Sequence, residues 1–299
     1  MQHALRWTLA ALLAAAVLAP IHAPAQTPLQ VTPLTQPRAP VQAAPQEAAT
    51  LVIPGVNGNQ ELLRNMALRF MRENPAIQIE VPSAADTTEA IKAVIDGKAA
   101  LARTNRPLRD AEKAVGITET VFAKAAVVFA INPRLTGVTG ITKAQALGIF
   151  SGAITDWSAL GGPQGPITPV CLKAPNASRD SIAKVIPGFA DTPCQEAHAA
   201  ASVSEAVQKV EATPGAIGYF PLSAMSTTDL VPLPFDGVLP NAEQLARGTY
   251  PLFVTYGLAY KPPLSPAAVR LIAFMARPDS RWLLTKFGCL PVTDKPGEK

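Results

Sequence analysis

Residues 51–70, LVIPGVNGNQELLRNMALRF, decide the fold. Leu51-Val52-Ile53 is a short apolar, β-branched run of the kind that forms a strand. Pro54-Gly55 and the stretch Val56-Asn57-Gly58-Asn59 break it. Leu62, Leu63, Met66, Ala67 and Phe70 then recur at helical spacing and make one apolar face. A strand, a turn and an amphipathic helix in direct succession form a βα unit.

The same plan returns along the chain. Ile77-Gln-Ile79-Glu-Val81 alternates as a half-buried strand does. A polar turn from Ser83 to Thr88 follows, and then a helix carrying Ile91, Val94 and Ile95 up to Gly97. Val170-Cys171-Leu172 leads through Lys173 to Ser178 into a helix over Arg179 to Val185. Val127 to Asn132 is continuously apolar up to its last residue, which predicts a strand buried on both faces. Thr142 is placed to cap a helix running to Phe150. Ser204 to Ala212 reads as a helix stopped by Pro214-Gly215, with Ala216 to Phe220 after it. Tyr250 to Val254 alternates, and a last helix is expected from Pro266 to about Met275. No internal repeat is present. The alternation predicts an α/β architecture, as one large domain or as two lobes of roughly 100–150 residues each.

At the start, one positive charge at Arg6, an apolar run from Trp7 to Pro20 and Ala23-Pro24-Ala25 describe a secretory signal peptide over residues 1–25. That run is shorter than the roughly 20 residues of a spanning helix, so export without membrane insertion is expected. No cysteine follows it, which predicts no lipid anchor. Residues 26–49 are rich in Pro, Ala, Gln and Thr and predict an extended leader without a core. The net charge of +4, which becomes +3 once Arg6 leaves, is too mild for a nucleic-acid surface, and no basic run supports one. In an oxidising compartment two of the three cysteines should bridge. Proximity points to Cys171 and Cys194, with about 3 kcal/mol of stabilisation from closing that loop, and leaves Cys289 over.

Catalysis finds little support. Beyond the signal segment the only histidine is His198, in an alanine-rich stretch expected to be surface helix. No Gly-x-Ser-x-Gly elbow and no phosphate loop ending in Gly-Lys-Ser/Thr is present. Glu61, Asp86, Glu89 and Asp110 fit cap or surface positions better than a paired-carboxylate site. Three scattered cysteines and one histidine make no metal set, and no cofactor is expected. What remains is three polar turns, each opening a helix after a strand. Helix N-termini present unpaired N–H groups and the positive dipole end. Such turns either cap their helices and no more, or converge to hold an oxyanion.

Leu147 to Gly162, LGIFSGAITDWSALGG, is similar to a segment of the phosphate-type periplasmic receptors of ABC importers. Ala102 to Leu108 (ARTNRPL), Pro214 to Tyr219, Tyr250-Pro251-Leu252 and the tail from Phe274 to Val292 match the same family in the same order. The resemblance covers residues 50–294. It implies a two-lobed type II periplasmic-binding-protein fold, each lobe a mostly parallel sheet flanked by helices, joined by two crossing strands. Lobe 1 would hold residues 50–127 and 252–299, and lobe 2 residues 128–251. A small anion, phosphate first, would lie between lobes of a monomer that docks on an ABC permease, in the periplasm or after secretion.

The ligand set carried over is Asn57, Gly58 and Asn59; Thr87 and Thr88; Thr104, Asn105 and Arg106; and Lys173, Asn176, Ala177, Ser178 and Arg179. Several positions depart from the family. Val56 stands where a hydroxyl is usual. Asp86 and Glu89 flank the second turn. Lys173 replaces an arginine and loses its bidentate fork, and Asn105 replaces an acidic or serine residue. These departures keep a second reading open, in which the fold serves another solute or a secreted signalling or interaction role.

Overall fold

The computed structural model describes residues 48–83 and 86–292. The signal peptide and nearly all of the expected leader lie outside them, except that Ala49 already belongs to the first strand. Strand β1 (Ala49–Val52) runs parallel to β2 (Ile77–Glu80). Between them helix α1 (Gln60–Glu73) buries Leu62, Leu63, Met66, Ala67 and Phe70, the face its spacing predicts. Helix α2 (Thr87–Ile95) leads to β3 (Ala102–Thr104), and the short α3 (Asp110–Ala114) precedes β4 (Thr118–Ile131).

The expected apolar strand is the second half of β4. Val127 to Ile131 is buried on both faces. The strand itself starts at Thr118, well before the apolar run, because Thr118 to Lys124 keeps partly exposed polar positions. Thr142 caps α4 (Lys143–Ser151) by accepting the N–H of Gln145, whose side chain returns the bond to Thr142. Strand β5 (Thr168–Leu172), helix α5 (Ala177–Val185), strand β6 (Ala199–Ala200), helix α6 (Val203–Ala212) and strand β7 (Ala216–Pro221) follow. After β8 (Val231–Pro232) and α7 (Ala242–Ala246) the chain returns as β9 (Phe253–Tyr260). It ends in α8 (Pro266–Ala276), α9 (Pro278–Lys286) and β10 (Cys289–Pro291).

β4 organises the sheet, whose order is β3-β9-β4-β7-β5-β6 with β8 and β10 also on β4. Its first half, Thr118 to Ala126, pairs antiparallel with β9; its second half, Val127 to Ile131, pairs antiparallel with β7. β5, β6 and β7 are mutually parallel. β9 re-enters beside the changeover point, where Val127 N–H donates to Leu252 O (2.9 Å) and the Tyr250 hydroxyl donates to Val127 O (2.8 Å). Ser181 Oγ both donates to Phe253 O and accepts its N–H, so α5 is bonded to the first residue of β9. Around Phe129 the rings of Phe150, Phe189, Tyr219 and Phe235 lie 5.9–6.3 Å away, centroid to centroid. The result is the α/β class expected.

His198 departs from expectation. It ends a 3-10 turn, Glu196–His198, and runs straight into β6 rather than sitting in a helix. Ala199 and Ala200 are small enough to be buried beside Cys171 and Leu172, and strand pairing there overrides alanine's helical preference. Cys171 and Cys194 form a disulfide with Cα atoms 5.7 Å apart, and Cys289 is free and fully buried. Burial pushes the Cys289 thiol up to about 12, so little thiolate forms at neutral pH. An aromatic disulfide reagent is therefore expected to find no thiol in the folded protein and one after unfolding without reductant. A count of three after unfolding would mean the pair is not bonded. Among the described residues no helix is long and apolar enough to cross a membrane, and no cluster of His, Cys, Asp and Glu is placed to hold a metal.

Candidate functional site

Four helix starts surround one small cavity. The 3-10 turn Asn57–Asn59 that opens α1 brings Val56 and Asn57 to it. α2 brings Asp86, Thr87 and Thr88, α5 brings Asn176, Ala177 and Asp180, and α6 brings Ser202 and Val203. Asn105, Arg106, Arg109, Lys173, Pro175 and Ala201 complete the lining. The cavity volume is about 90 Å³, far below the roughly 300–1,000 Å³ of sites that take drug-sized ligands. Its size suits an ion or a very small molecule.

The caps show why these turns face the cavity with donors. Asp86 Oδ1 accepts the N–H of Glu89 at 2.8 Å. Asn176 Oδ1 accepts those of Ser178 (2.9 Å) and Arg179 (3.3 Å), and Ser202 Oγ accepts that of Glu205 (3.1 Å). Each cap takes an N–H from the second or third helical residue. The first N–H of each helix, on Thr87, Ala177 and Val203, has no acceptor among the described residues. Three dipole ends with an open donor thus meet at one place, an arrangement that holds negative charge without requiring a cation in contact.

The side chains around them are cross-braced. Thr87 Oγ1 donates to Asn105 Oδ1 at 2.8 Å, which leaves the Asn105 amide N–H₂ without a partner among the described residues. Arg106 forks onto Glu112 at 2.7 and 2.9 Å and also donates to Thr88 Oγ1 at 3.1 Å, while Arg109 reaches the same hydroxyl at 3.3 Å. The Glu112 hydrogen bond holds Arg106 above its ordinary pKa. Burial pushes the Glu112 carboxyl up, but the bonds from Arg106 and from the Arg109 N–H outweigh it and keep the group below its usual range. Lys173 is half exposed and paired with Glu196 at 2.7 Å. Asn57 Oδ1 is buried with no partner among the described residues.

Of the residues carried over from the family, the structure brings Asn57, Thr87, Thr88, Asn105, Arg106, Lys173, Asn176 and Ala177 to the cavity. Gly58, Asn59, Thr104, Ser178 and Arg179 do not line it. The Gly58 carbonyl accepts from the Tyr256 and Ser223 hydroxyls, and Asn59 is buried with its amide on Thr104 O. The Thr104 hydroxyl turns to Glu119, whose carboxyl is pushed up by burial. Ser178 is buried. Arg179 points into the core, where Nη2 donates to Thr192 O (2.6 Å) and Ala190 O (3.0 Å) and Nη1 to the Tyr219 hydroxyl (3.2 Å).

Arg109, Asp180, Ser202 and Val203 are lining residues that sequence reasoning missed. For the last two a signal was present. Ser202-x-x-Glu205 has the sequence pattern of a capping box, although Glu205 Oε2 accepts the N–H of Ala201 (2.8 Å), one residue before the cap.

A family model described as a PBP superfamily domain matches residues 40–279. The phosphate-binding protein PstS of Bacillus subtilis (strain 168) is 29% identical over 252 residues, which covers 83% of this chain and 82% of that protein. Among solved structures, a phosphate ABC transporter substrate-binding protein with bound phosphate from Clostridium perfringens aligns with a TM-score of 0.73 at 21% identity, over 82% of this chain and all of that one. A phosphate-binding protein from Stenotrophomonas maltophilia aligns with a TM-score of 0.63 at 14% identity, over 82% of this chain and 91% of that one. At these identities the structural matches establish the type II binding-protein fold.

Proposed function

The chain belongs to the PBP superfamily, and from that premise we propose that it is an exported solute-binding protein that captures a small oxyanion, phosphate first, in the cavity between the helix starts. The observation that carries this reading is the convergence of α2, α5 and α6, each with its first N–H open, on a space of about 90 Å³. The named likeness to PstS of Bacillus subtilis, a phosphate-binding protein, supports phosphate as the first ligand to try. Residues 50–127 with 252–299 act as one lobe and 128–251 as the other, and the anion bridges helix starts from both. Closure then presents a surface to an ABC permease, with the protein working as a monomer in the periplasm or outside the cell.

Asn105 shapes the selectivity. An acidic side chain at this position accepts the proton of hydrogen phosphate and repels sulfate. The Asn105 amide, with its oxygen taken by Thr87, offers N–H donors instead. Discrimination against sulfate is therefore expected to be weak. A thermal-shift screen over phosphate, sulfate, molybdate, phosphonates and carboxylates tests the reading. At one hundred times the dissociation constant, binding is expected to add about 2.7 kcal/mol of stability, with small-angle scattering reporting a more compact particle. No shift with phosphate or sulfate at millimolar concentration sinks the oxyanion reading.

One observation favours a second reading. Asp86 and Asp180 both line the cavity, and a carboxylate there repels a dianion unless it accepts a ligand proton. A shift seen only with a ligand that also carries a positive group would support that alternative, a same-fold protein serving another solute.

A further inference from the structure

Arg103 lies in β3 with no solvent exposure. No carboxylate pairs with it among the described residues. Its Nη2 donates to three carbonyl groups, those of Gly55 (2.5 Å), Pro82 (3.0 Å) and Val56 (3.4 Å), while Nε and Nη1 have no partner among the described residues. A buried cation is costly and is normally met by an acid. Among the described residues the charge that shifts it is another cation, Arg64, which adds to the effect of burial. Burial lowers its pKa to about 10, which still leaves it charged at neutral pH.

The location gives this charge a use. Gly55 and Val56 lead into Asn57, and Val56 and Asn57 line the cavity; Pro82 lies in the connection from β2 to α2; Asn105, two residues beyond Arg103, lines the cavity too. The guanidinium therefore sits one peptide unit behind the wall. Gly55 makes the room for it, because a Cβ there would come within 2.8 Å of Arg103 Nε and 2.9 Å of Arg103 O. Of the cations that line the cavity, Arg106 is partly neutralised by Glu112 and Lys173 by Glu196, while Arg109 has no ion pair among the described residues but is exposed to solvent. Arg103 has no ion pair among them either, and it is buried.

We propose that Arg103 is a specificity-determining residue: an unneutralised positive charge behind the cavity wall that favours divalent oxyanions without touching them. This rests on the oxyanion reading above. It also assigns Arg103 a positioning part, since one side chain ties together the carbonyls of the two loops that carry the first and second helix starts.

The test compares Arg103→Gln, which keeps a donor but loses the charge, with Arg103→Lys, which keeps the charge but loses the fork. Dissociation constants for phosphate and sulfate at pH 8 are read by calorimetry, with melting temperatures alongside. The charge role predicts at least a tenfold weakening in Arg103→Gln and a change within about threefold in Arg103→Lys, although both melt lower. Equal losses in the two variants, or unchanged binding in Arg103→Gln, overturn it. On the unmodified protein, the Arg103 Nε–H resonance is expected to shift on saturation with phosphate, and an unmoved resonance with phosphate bound also overturns it, so the question survives a variant that fails to fold. An unmodified protein that binds neither anion sinks the oxyanion reading and this one together. Binding beside an indifferent Arg103→Gln sinks this one alone.

Discussion

Replacing Phe129 with alanine is expected to lower the melting temperature by about 6–20 °C. The ring has no solvent exposure and lies among Phe150, Phe189, Tyr219 and Phe235, so its removal leaves a cavity bounded by aromatic side chains fixed on four other segments. Large-to-small changes of this kind cost about 3–5 kcal/mol, and in a protein of this size each kcal/mol moves the midpoint by about 2–4 °C. The backbone makes relaxation harder. Phe129 faces Tyr219 in the pairing of β4 with β7, and its carbonyl accepts from Leu233 N–H at 2.8 Å. Collapse of the cavity would need β4 to shift against strands on both sides. Calorimetry of the purified variant decides the matter, and a drop under 3 °C would show that the cluster repacks.

Ala177→Asp is expected to abolish anion binding while leaving the fold as stable as before. Ala177 is the first residue of α5 and lines the cavity. An aspartate in the first turn interacts favourably with the helix dipole, by about 0.3–1 kcal/mol, so the helix gains. The ligand loses on two counts. The carboxylate occupies space in a cavity of about 90 Å³, and it places a negative charge where the anion should sit. Two like charges about 4 Å apart at an effective dielectric of 20 repel by about 4 kcal/mol, so a loss of at least a hundredfold in affinity is expected. Melting temperature without ligand and calorimetric titration with phosphate separate the two effects. Wild-type affinity in a folded Ala177→Asp protein would place the anion elsewhere.

The scaffold was legible wherever period and burial agree. The 3.6-residue face of α1 and the apolar second half of β4 could be read directly, and so could the Thr142 cap, because each depends on residues near in sequence. The site was half legible. Thr104 and Asn105 are neighbours, yet Thr104, the last residue of β3, turns its side chain to the partly buried Glu119, and Asn105, just past the strand, turns its own to the cavity. Asn176 and Ala177 reach the cavity, but Arg179 is rotated away and spends its donors on the carbonyls of Ala190 and Thr192. Polar residue types at a helix start do not reveal which of them serve the core. The fourth helix start, at Ser202, needed the two-residue strand β6 to be visible, and Ala199-Ala200 carries no strand signal of its own. Arg103 was the least legible of all, because arginine in a strand gives no sign that it will be buried without an acid.

β4 is a single strand whose two halves serve two different sets of partners. Hydrogen-bond ladders of that kind fail together: melting one set frees one end of β4 and loosens the registry that the other set needs. The protein is thereby built to lose its structure in one cooperative step even if its lobes move as separate bodies in the native state. On the proposed mechanism, hinge motion at the changeover point and resistance to piecemeal unfolding would then have the same origin. A receptor that opened and shut about that point would be spared a half-folded state in which one lobe lies exposed to proteases while the other stands intact.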